Sequence, residues 1–281
     1  MNPLLIRIYE VLKEALFPSK CLVCGAFFSD DHGKDDCAPL RELKDPYFFK
    51  QSFKNVFGFL LAPYLCTACG TGFTPLESPL CSQCGLMFRS RAGEDHLCGD
   101  CLESPKNFRV ARSVGIYDRP LMELLHCFKY RGKIQLTRPL AMLLWVAFLK
   151  YWENERIDLV VPVPLHHKKM RRRGFNQTCL MVREWGRIAD RFQVERPYRQ
   201  MGLDTLLRNK WTQSQTGLRR NERVTNIKSA FSLSPTEKVD SLRILLVDDV
   251  YTTGATANEC AKVLMKSGAK RVDVLTLARA L

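Results

Sequence analysis

Two adjacent carboxylates, Asp248 and Asp249, follow four apolar residues, Ile244 to Val247, and precede a hydroxyl-rich turn, Thr252-Thr253-Gly254-Ala255-Thr256. Carboxylates are acceptors and suit sugar hydroxyls. A turn with three hydroxyls and a glycine, placed just before a helix, offers backbone N–H groups at the positive end of a helix dipole and suits a phosphate. Together the acids and the turn describe a site for a ribose 5-phosphate. Taken alone, either piece has a plainer explanation: solvated acids at a strand end, and a threonine capping a helix.

A second group of residues lies in VPVPLHHKKMRRRGFNQ, 161–177, where two histidines and the cations Lys168, Lys169, Arg171, Arg172 and Arg173 follow an apolar run. Such a run can neutralise a pyrophosphate, track the phosphates of a nucleic acid, or simply face water. Its position after a strand end favours a shared cleft with the acids.

The third group is sulfur. Eight of the twelve cysteines fall in CxxC pairs: Cys21/Cys24, Cys66/Cys69, Cys81/Cys84 and Cys98/Cys101. The last two pairs, with thirteen residues between them, have the spacing of the knuckles of a zinc ribbon, and Gly85 follows where a knuckle turns sharply. Cys66/Cys69 takes Cys21/Cys24 as its partner across a longer loop. Two structural zinc sites are therefore expected. A redox role for a CxxC is the alternative, but no thioredoxin-like strand and helix pattern surrounds the pairs. His32, His96 and Cys37 lie close enough in sequence to be substitute ligands, whereas Cys127, Cys179 and Cys260 fall on helical patterns and read as small core residues.

The elements that position these groups follow from hydrophobic period. Strands are predicted at 113–118, 158–165, 242–250 and 271–278, and helices at 121–130, 136–152, 175–192 and 255–267, the last stopped by Gly268. Alternation of strand and helix implies βαβ units, a parallel sheet, and ligands at the carboxyl ends of its strands. Upstream, residues 1–18 carry Leu5, Ile8, Leu12 and Leu16 at helical spacing and predict an amphipathic helix. A cover helix packed on its own protein is the plainer reading of it, a membrane or partner anchor the other. Residues 19–104 hold every CxxC pair and few long periodic runs, the mark of a metal-organised module, and Ser104-Pro105 is a plausible boundary to a domain over 105–281.

The run 244–256 resembles the signature of the type I phosphoribosyltransferases, which bind phosphoribosyl pyrophosphate (PRPP); Tyr251 stands where that family has a small aliphatic residue. CFKYRGK at 127–133, RRGFNQ at 172–177 and the QTGL…R…N…F segment within 214–231 come in an order that resembles the ComF/GntX family over nearly the whole chain. The resemblance implies a type I phosphoribosyltransferase-like sheet flanked by helices and preceded by a small zinc-ribbon module. It makes Asp248 and Asp249 the candidate catalytic residues, on the ribose hydroxyls, and Thr252, Thr253, Gly254, Ala255 and Thr256 the 5-phosphate loop, with Mg²⁺ accompanying PRPP. It also implies that the Arg-rich stretch 202–226 is a hood over the site. No residue stands out as a general base, which suits enzymes that work by positioning and charge. The family association with natural transformation and growth on DNA implies a role with single-stranded DNA and with helicase or recombination-mediator partners. The alternative is a non-catalytic zinc-ribbon protein, binding nucleic acid or serving as an adapter, whose PRPP site is a relic or a sensor.

Composition sets the outer limits. At 281 residues, with 46% apolar and 26% charged residues, the chain is neither disordered nor fibrous. A net charge of +14 predicts attraction to polyanions, and two Zn(Cys)4 groups would lower it only to about +10. The first residues are interrupted by Arg7, Glu10, Lys13 and Glu14, unlike a secretory leader, and the longest apolar run, Leu140 to Leu149, is too short to span a bilayer. A cytoplasmic protein is expected.

Overall fold

The computed structural model describes residues 18–28, 51–211 and 227–281. The expected helix over 1–18 lies outside the described residues except for its last position, and so do His32, Cys37 and the 212–226 part of the expected hood.

In chain order the elements begin with a two-residue hairpin, β1 (Ser19–Lys20) and β2 (Phe27–Phe28), followed by α1 (Phe53–Leu61), α2 (Thr67–Thr71) and α3 (Gly99–Glu103). Then come β3 (Ala111–Ile116), α4 (Arg119–Tyr130), α5 (Thr137–Trp152), β4 (Ile157–Pro162), α6 (His167–Arg173), α7 (Gln177–Phe192) and β5 (Tyr198–Met201). The chain continues through β6 (Leu206–Arg208), β7 (Phe231–Leu233), β8 (Arg243–Tyr251), α8 (Ala255–Lys266) and β9 (Arg271–Arg279). Five strands form one sheet in the order β3-β9-β8-β4-β5, parallel throughout, while β6 and β7 pair as an antiparallel hairpin. The chain thus has the expected α/β architecture, a parallel sheet flanked by helices behind a cysteine-rich segment.

Strand β8 runs down the middle because Ile244 to Val247 are all fully buried, which only a strand covered on both faces allows. Helix α5 is buried nearly all round, so the apolar run 140–149 is a core helix; no helix among the described residues is long and apolar enough to cross a membrane. Trp145, Phe148, Trp185 and Tyr198 meet there, with Phe148 and Trp185 stacked at 5.3 Å. Helix α7 turns Met181, Val182, Trp185, Ile188 and Ala189 to this core, the spacing of one helical face. Under the sheet, buried Asp273 gathers Arg109 Nε at 2.9 Å, Trp152 Nε1 at 2.9 Å and Arg271 at 3.1 Å.

Both hydrophobic clusters cross Ser104-Pro105: Phe53, Val56, Phe57 and Leu61 pack with Leu121, Leu124 and Leu140, and the last two CxxC pairs pack with Val161, Ile244 and Val274. Several elements differ from those expected. The first strand runs two residues earlier at both ends, and it stops at Ile116 because Asp118 and Pro120 already serve the start of α4. The second ends at Pro162, where prolines 162 and 164 withdraw N–H groups from the ladder. Edge strand β5 and the β6-β7 hairpin carry too few periodic residues to be read from sequence, whereas helix α1 is not among the predicted elements although Phe53, Val56, Phe57 and Leu61 have helical spacing.

Candidate phosphate site and metal centres

The sheet order reverses between β4 and β8: from β4 the chain moves outward to β5, and from β8 it moves the other way to β9. The carboxyl ends of these two strands open the crevice in which such sheets take ligands. Asp248 and Asp249 sit at the end of β8, and His166 with helix α6 follows the end of β4.

The two acids are not equivalent. Asp249 is 6% exposed, and its Oδ2 receives Lys129 Nζ at 2.7 Å and Gln177 Nε2 at 2.5 Å. Arg173 donates in turn to Gln177 Oε1, so α4, α6 and α7 converge on one carboxylate. Burial pulls the Lys129 ammonium down, and the Asp249 carboxylate more than restores it, leaving it above its ordinary value. Asp248 accepts the Asp249 backbone N–H at 2.8 Å. Burial, then the neighbouring Asp249 charge, push its carboxyl up to about 7 against the pull of Lys129 and Arg208. Asp249 is paired within the protein; Asp248 is the acid that a ligand donor would satisfy.

Helix α6 is the main difference from the expected elements, since no helix is predicted from sequence over 166–173. His166 caps it, its Nδ1 accepting the Lys168 N–H at 3.2 Å, and Gly174 ends it in the left-handed region at φ 84°. The helical turn sorts the five cations. Lys169 and Arg173, four residues apart, are half-buried toward the crevice; Lys168, Arg171 and Arg172 are exposed. Burial and the surrounding Arg208, Arg173 and Lys129 lower Lys169 to about 8, as expected for a cation set among cations. Lys168 and Lys169 also lie 5.7 Å and 5.9 Å from the ring of Trp211, which is 47% exposed.

Arg208 comes from β6, its guanidinium 5.3 Å from the Phe231 ring; burial lowers it below its ordinary value, and the Asp248 charge opposes that only in part. Lys129 and Gln177 were not singled out from sequence; Arg208 lies in the Arg-rich stretch 202–226 expected to form a hood. Lys129 and Gln177 lie in segments recognised as patterns without a role assigned to them, and the four-residue spacing of Arg173 and Gln177 is the signal that could have found the latter.

The turn after β8 adopts the geometry its residues suggested. Gly254 has φ 75° and caps α8, its carbonyl accepting the Asn258 N–H at 2.8 Å, while Thr253 Oγ1 accepts the Ala255 N–H at 3.4 Å. Asp248, Thr252, Gly254 and Thr256 line one small pocket with Thr276. Tyr251 is buried beneath the loop: a Cβ built on Gly254 would stand 2.1 Å from its hydroxyl oxygen.

The cysteines form two groups of four, Cys21/Cys24/Cys66/Cys69 and Cys81/Cys84/Cys98/Cys101, each with its sulfurs within 4.8 Å of one another. Sulfurs about 2.3 Å from a tetrahedral zinc are roughly 3.8 Å apart. The Cys24–Cys66 and Cys84–Cys98 sulfur distances are 3.7 Å. Cys81 Sγ accepts the N–H groups of Cys84 at 3.4 Å and Cys98 at 3.3 Å. Although burial works against its thiolate, these N–H groups bring Cys81 down to about 6, ready for a cation. Both groups therefore fit a metal ion. His96 belongs to neither and stacks on Phe88 at 4.0 Å. Cys127 and Cys260 are core residues as expected, while Cys179 is only half-buried.

No family model matches the chain. It is 33% identical over 220 residues to Competence protein F of Haemophilus influenzae, covering 77% of this chain and 90% of that protein. DNA utilization protein YhgH of Escherichia coli is 32% identical over 221 residues, with 77% of this chain and 91% of the relative covered. Competence protein ComFC of Bacillus subtilis is 27% identical over 230 residues, with 79% and 87% covered. Identity at this level across most of both chains, with the acid pair, the glycine loop and the CxxC groups assembled as described, places it: the chain belongs to the ComF family.

Proposed function

We propose that the crevice between β4 and β8 binds PRPP or another ribose 5-phosphate compound, and that the protein serves DNA uptake or DNA use, as the names of its relatives suggest. The observation that carries the ligand reading is half-buried Asp248, drawn on by Lys129 and Arg208, near the end of a strand that leads into the Gly254 loop. In this reading Asp248 accepts from the ribose hydroxyls, and Lys129 and Gln177 hold Asp249 in place beside it. Thr252, Thr253, Gly254, Ala255 and Thr256 cradle the 5-phosphate, and Lys169 and Arg173 face the pyrophosphate. Mg²⁺ would accompany PRPP and would supply neutralisation of the leaving charge. The metal of the cysteine groups is read as zinc, with a structural role. The division into an N-terminal helix (1–18), a cysteine-rich module (19–104) and a sheet domain (105–281) belongs to the same proposal, as do a cytoplasmic setting and helicase or recombination-mediator partners. Calorimetric titration of the zinc-loaded protein with PRPP and Mg²⁺ tests the reading. Binding lost in the Asp248→Asn/Asp249→Asn variant supports it; no binding by the intact protein removes it.

A second reading, binding of single-stranded DNA, is favoured by half-exposed Trp211 beside Lys168 and Lys169, with Arg171 and Arg172 on the outward side of α6. An aromatic face bordered by cations stacks a base and follows its backbone. The two ligands are compatible on one molecule. DNA binding that survives the two Asn changes would separate them, and DNA binding lost with those changes would contradict the division.

A further inference from the structure

Arg279, at the end of β9, is 5% exposed, and among the described residues no carboxylate pairs with it. Its Nη1 donates to the Cys84 carbonyl at 2.5 Å and its Nη2 to Cys84 Sγ at 3.3 Å, and its Nε finds no partner among the described residues. A buried guanidinium without an anion is strongly unfavourable. A metal-bound cysteine is a thiolate, so a loaded Cys81/Cys84/Cys98/Cys101 group supplies the missing negative charge, and the guanidinium offsets part of the charge of that group.

The same guanidinium lies 4.4 Å from the centre of the Tyr251 ring, whose hydroxyl rests against Gly254. Cys84, Arg279, Tyr251 and Gly254 are therefore in direct succession. Beside them lies a cavity of about 240 Å³, bordered by Cys84, Asp100, Lys106, Tyr251, Thr252 and Arg279 among others. The Tyr251 ring supports the loop there, and the ring is held between the Arg279 guanidinium and the edge-on ring of Phe108.

We propose that Arg279 is a positioning residue that ties the conformation of loop 252–256 to the metal state of the Cys81/Cys84/Cys98/Cys101 group. With metal bound, the guanidinium stays on the Cys84 thiolate and the loop keeps its N–H groups convergent. On loss of that metal the guanidinium keeps the Cys84 carbonyl but loses the thiolate charge, its hold on the ring weakens, and the loop loosens. The consequence for ligand affinity rests on the reading of this loop as a phosphate site; the consequence for loop order does not.

Hydrogen exchange of the 252–256 amides, measured with metal content, tests it. In Arg279→Met both metal groups are expected to stay loaded while loop exchange accelerates about tenfold, with Arg279→Lys in between. Cobalt(II) in place of the native metal should show a shifted sulfur-to-metal absorption in Arg279→Met, since the N–H to Cys84 Sγ is gone. Affinity for PRPP with Mg²⁺ is expected to fall about tenfold. Cys24→Ser, which disables the other group, should leave loop exchange unchanged. Unchanged exchange in a fully loaded Arg279→Met protein, or equal loosening in Cys24→Ser, overturns the proposal. If Arg279→Met does not fold, Tyr251→Leu asks the same from the other end: faster loop exchange with normal metal content supports the link, and unchanged exchange overturns it. An intact protein that binds no PRPP would remove the ligand reading, and the exchange result would still decide this one.

Discussion

Asp248 pays a stability cost that a surface acid does not. Its folded-state value of about 7 stands above the ordinary 3.8, so between those values the folded protein holds a proton that the unfolded chain has released. Stability from this group is therefore highest at low pH, declines as pH rises through that window, and the loss is complete above about 7. Asp248→Asn is expected to flatten this slope and to stabilise the ligand-free protein at pH 8 by on the order of 2 kcal/mol, while abolishing ribose-phosphate binding; thermal melts across pH check the first part. A melt that drops at pH 8 would show that the carboxylate is needed by the fold. Lys169 has the opposite character. Lowered from 10.5 to about 8, it disfavours the folded state while charged, so its contribution to stability improves as pH rises between these values. An anion that settles beside it should bring a proton along. Calorimetry at pH 8.5 in buffers of different ionisation enthalpy is expected to show proton uptake on phosphate binding, and Lys169→Met to remove it. Gly254→Ala combines a φ of 75° with a contact into the Tyr251 hydroxyl and is expected to cost about 2 kcal/mol or more.

Helix α6 turns a run of like charges into two faces with two jobs. Lys169 and Arg173 face the crevice, while Arg171 and Arg172 face water. Replacing Lys169 and Arg173 by Ala is expected to remove binding of small phosphate ligands. Replacing Arg171 and Arg172 should leave that binding intact and lower the salt dependence of DNA binding by about 2 in the slope of log K against log salt. Equal effects from both pairs would show that the helix does not divide them. Helix α7 gives the same lesson in reverse: Asn176 fixes its start, accepting the Thr178 N–H at 3.0 Å and donating to the Val163 carbonyl at 3.1 Å. That anchor delivers Gln177 to Asp249, and no hydrophobic period announces it.

At the scale of the molecule, the two cysteine groups are built into the two hydrophobic clusters, Cys21 with the helices on one face of the sheet and the second group with the other face. Removing the metal by chelation is therefore expected to lower Tm by roughly 10 °C or more, with recovery on adding zinc back. A chelated protein with unchanged melting would make the groups ornaments of the fold. The net charge of +14 acts at this scale too, drawing polyanions toward a crevice whose own cations are partly buried.

The amino-acid sequence determined what short-range chemistry can carry. Four buried residues ending in Asp248 and Asp249, a glycine that must take positive φ, and CxxC spacings that fit tetrahedral metal were legible because each depends on residues close together in the chain. The parallel sheet was legible for a related reason, since strand and helix periods alternate. Only the tertiary structure decided that Lys129, Gln177 and Arg208, drawn from three distant segments, surround those acids, and that Arg279 sits between Cys84 and Tyr251. A lone lysine, glutamine or arginine carries no periodic signal; its role is set by the low dielectric and the opposite charge that the fold brings to it.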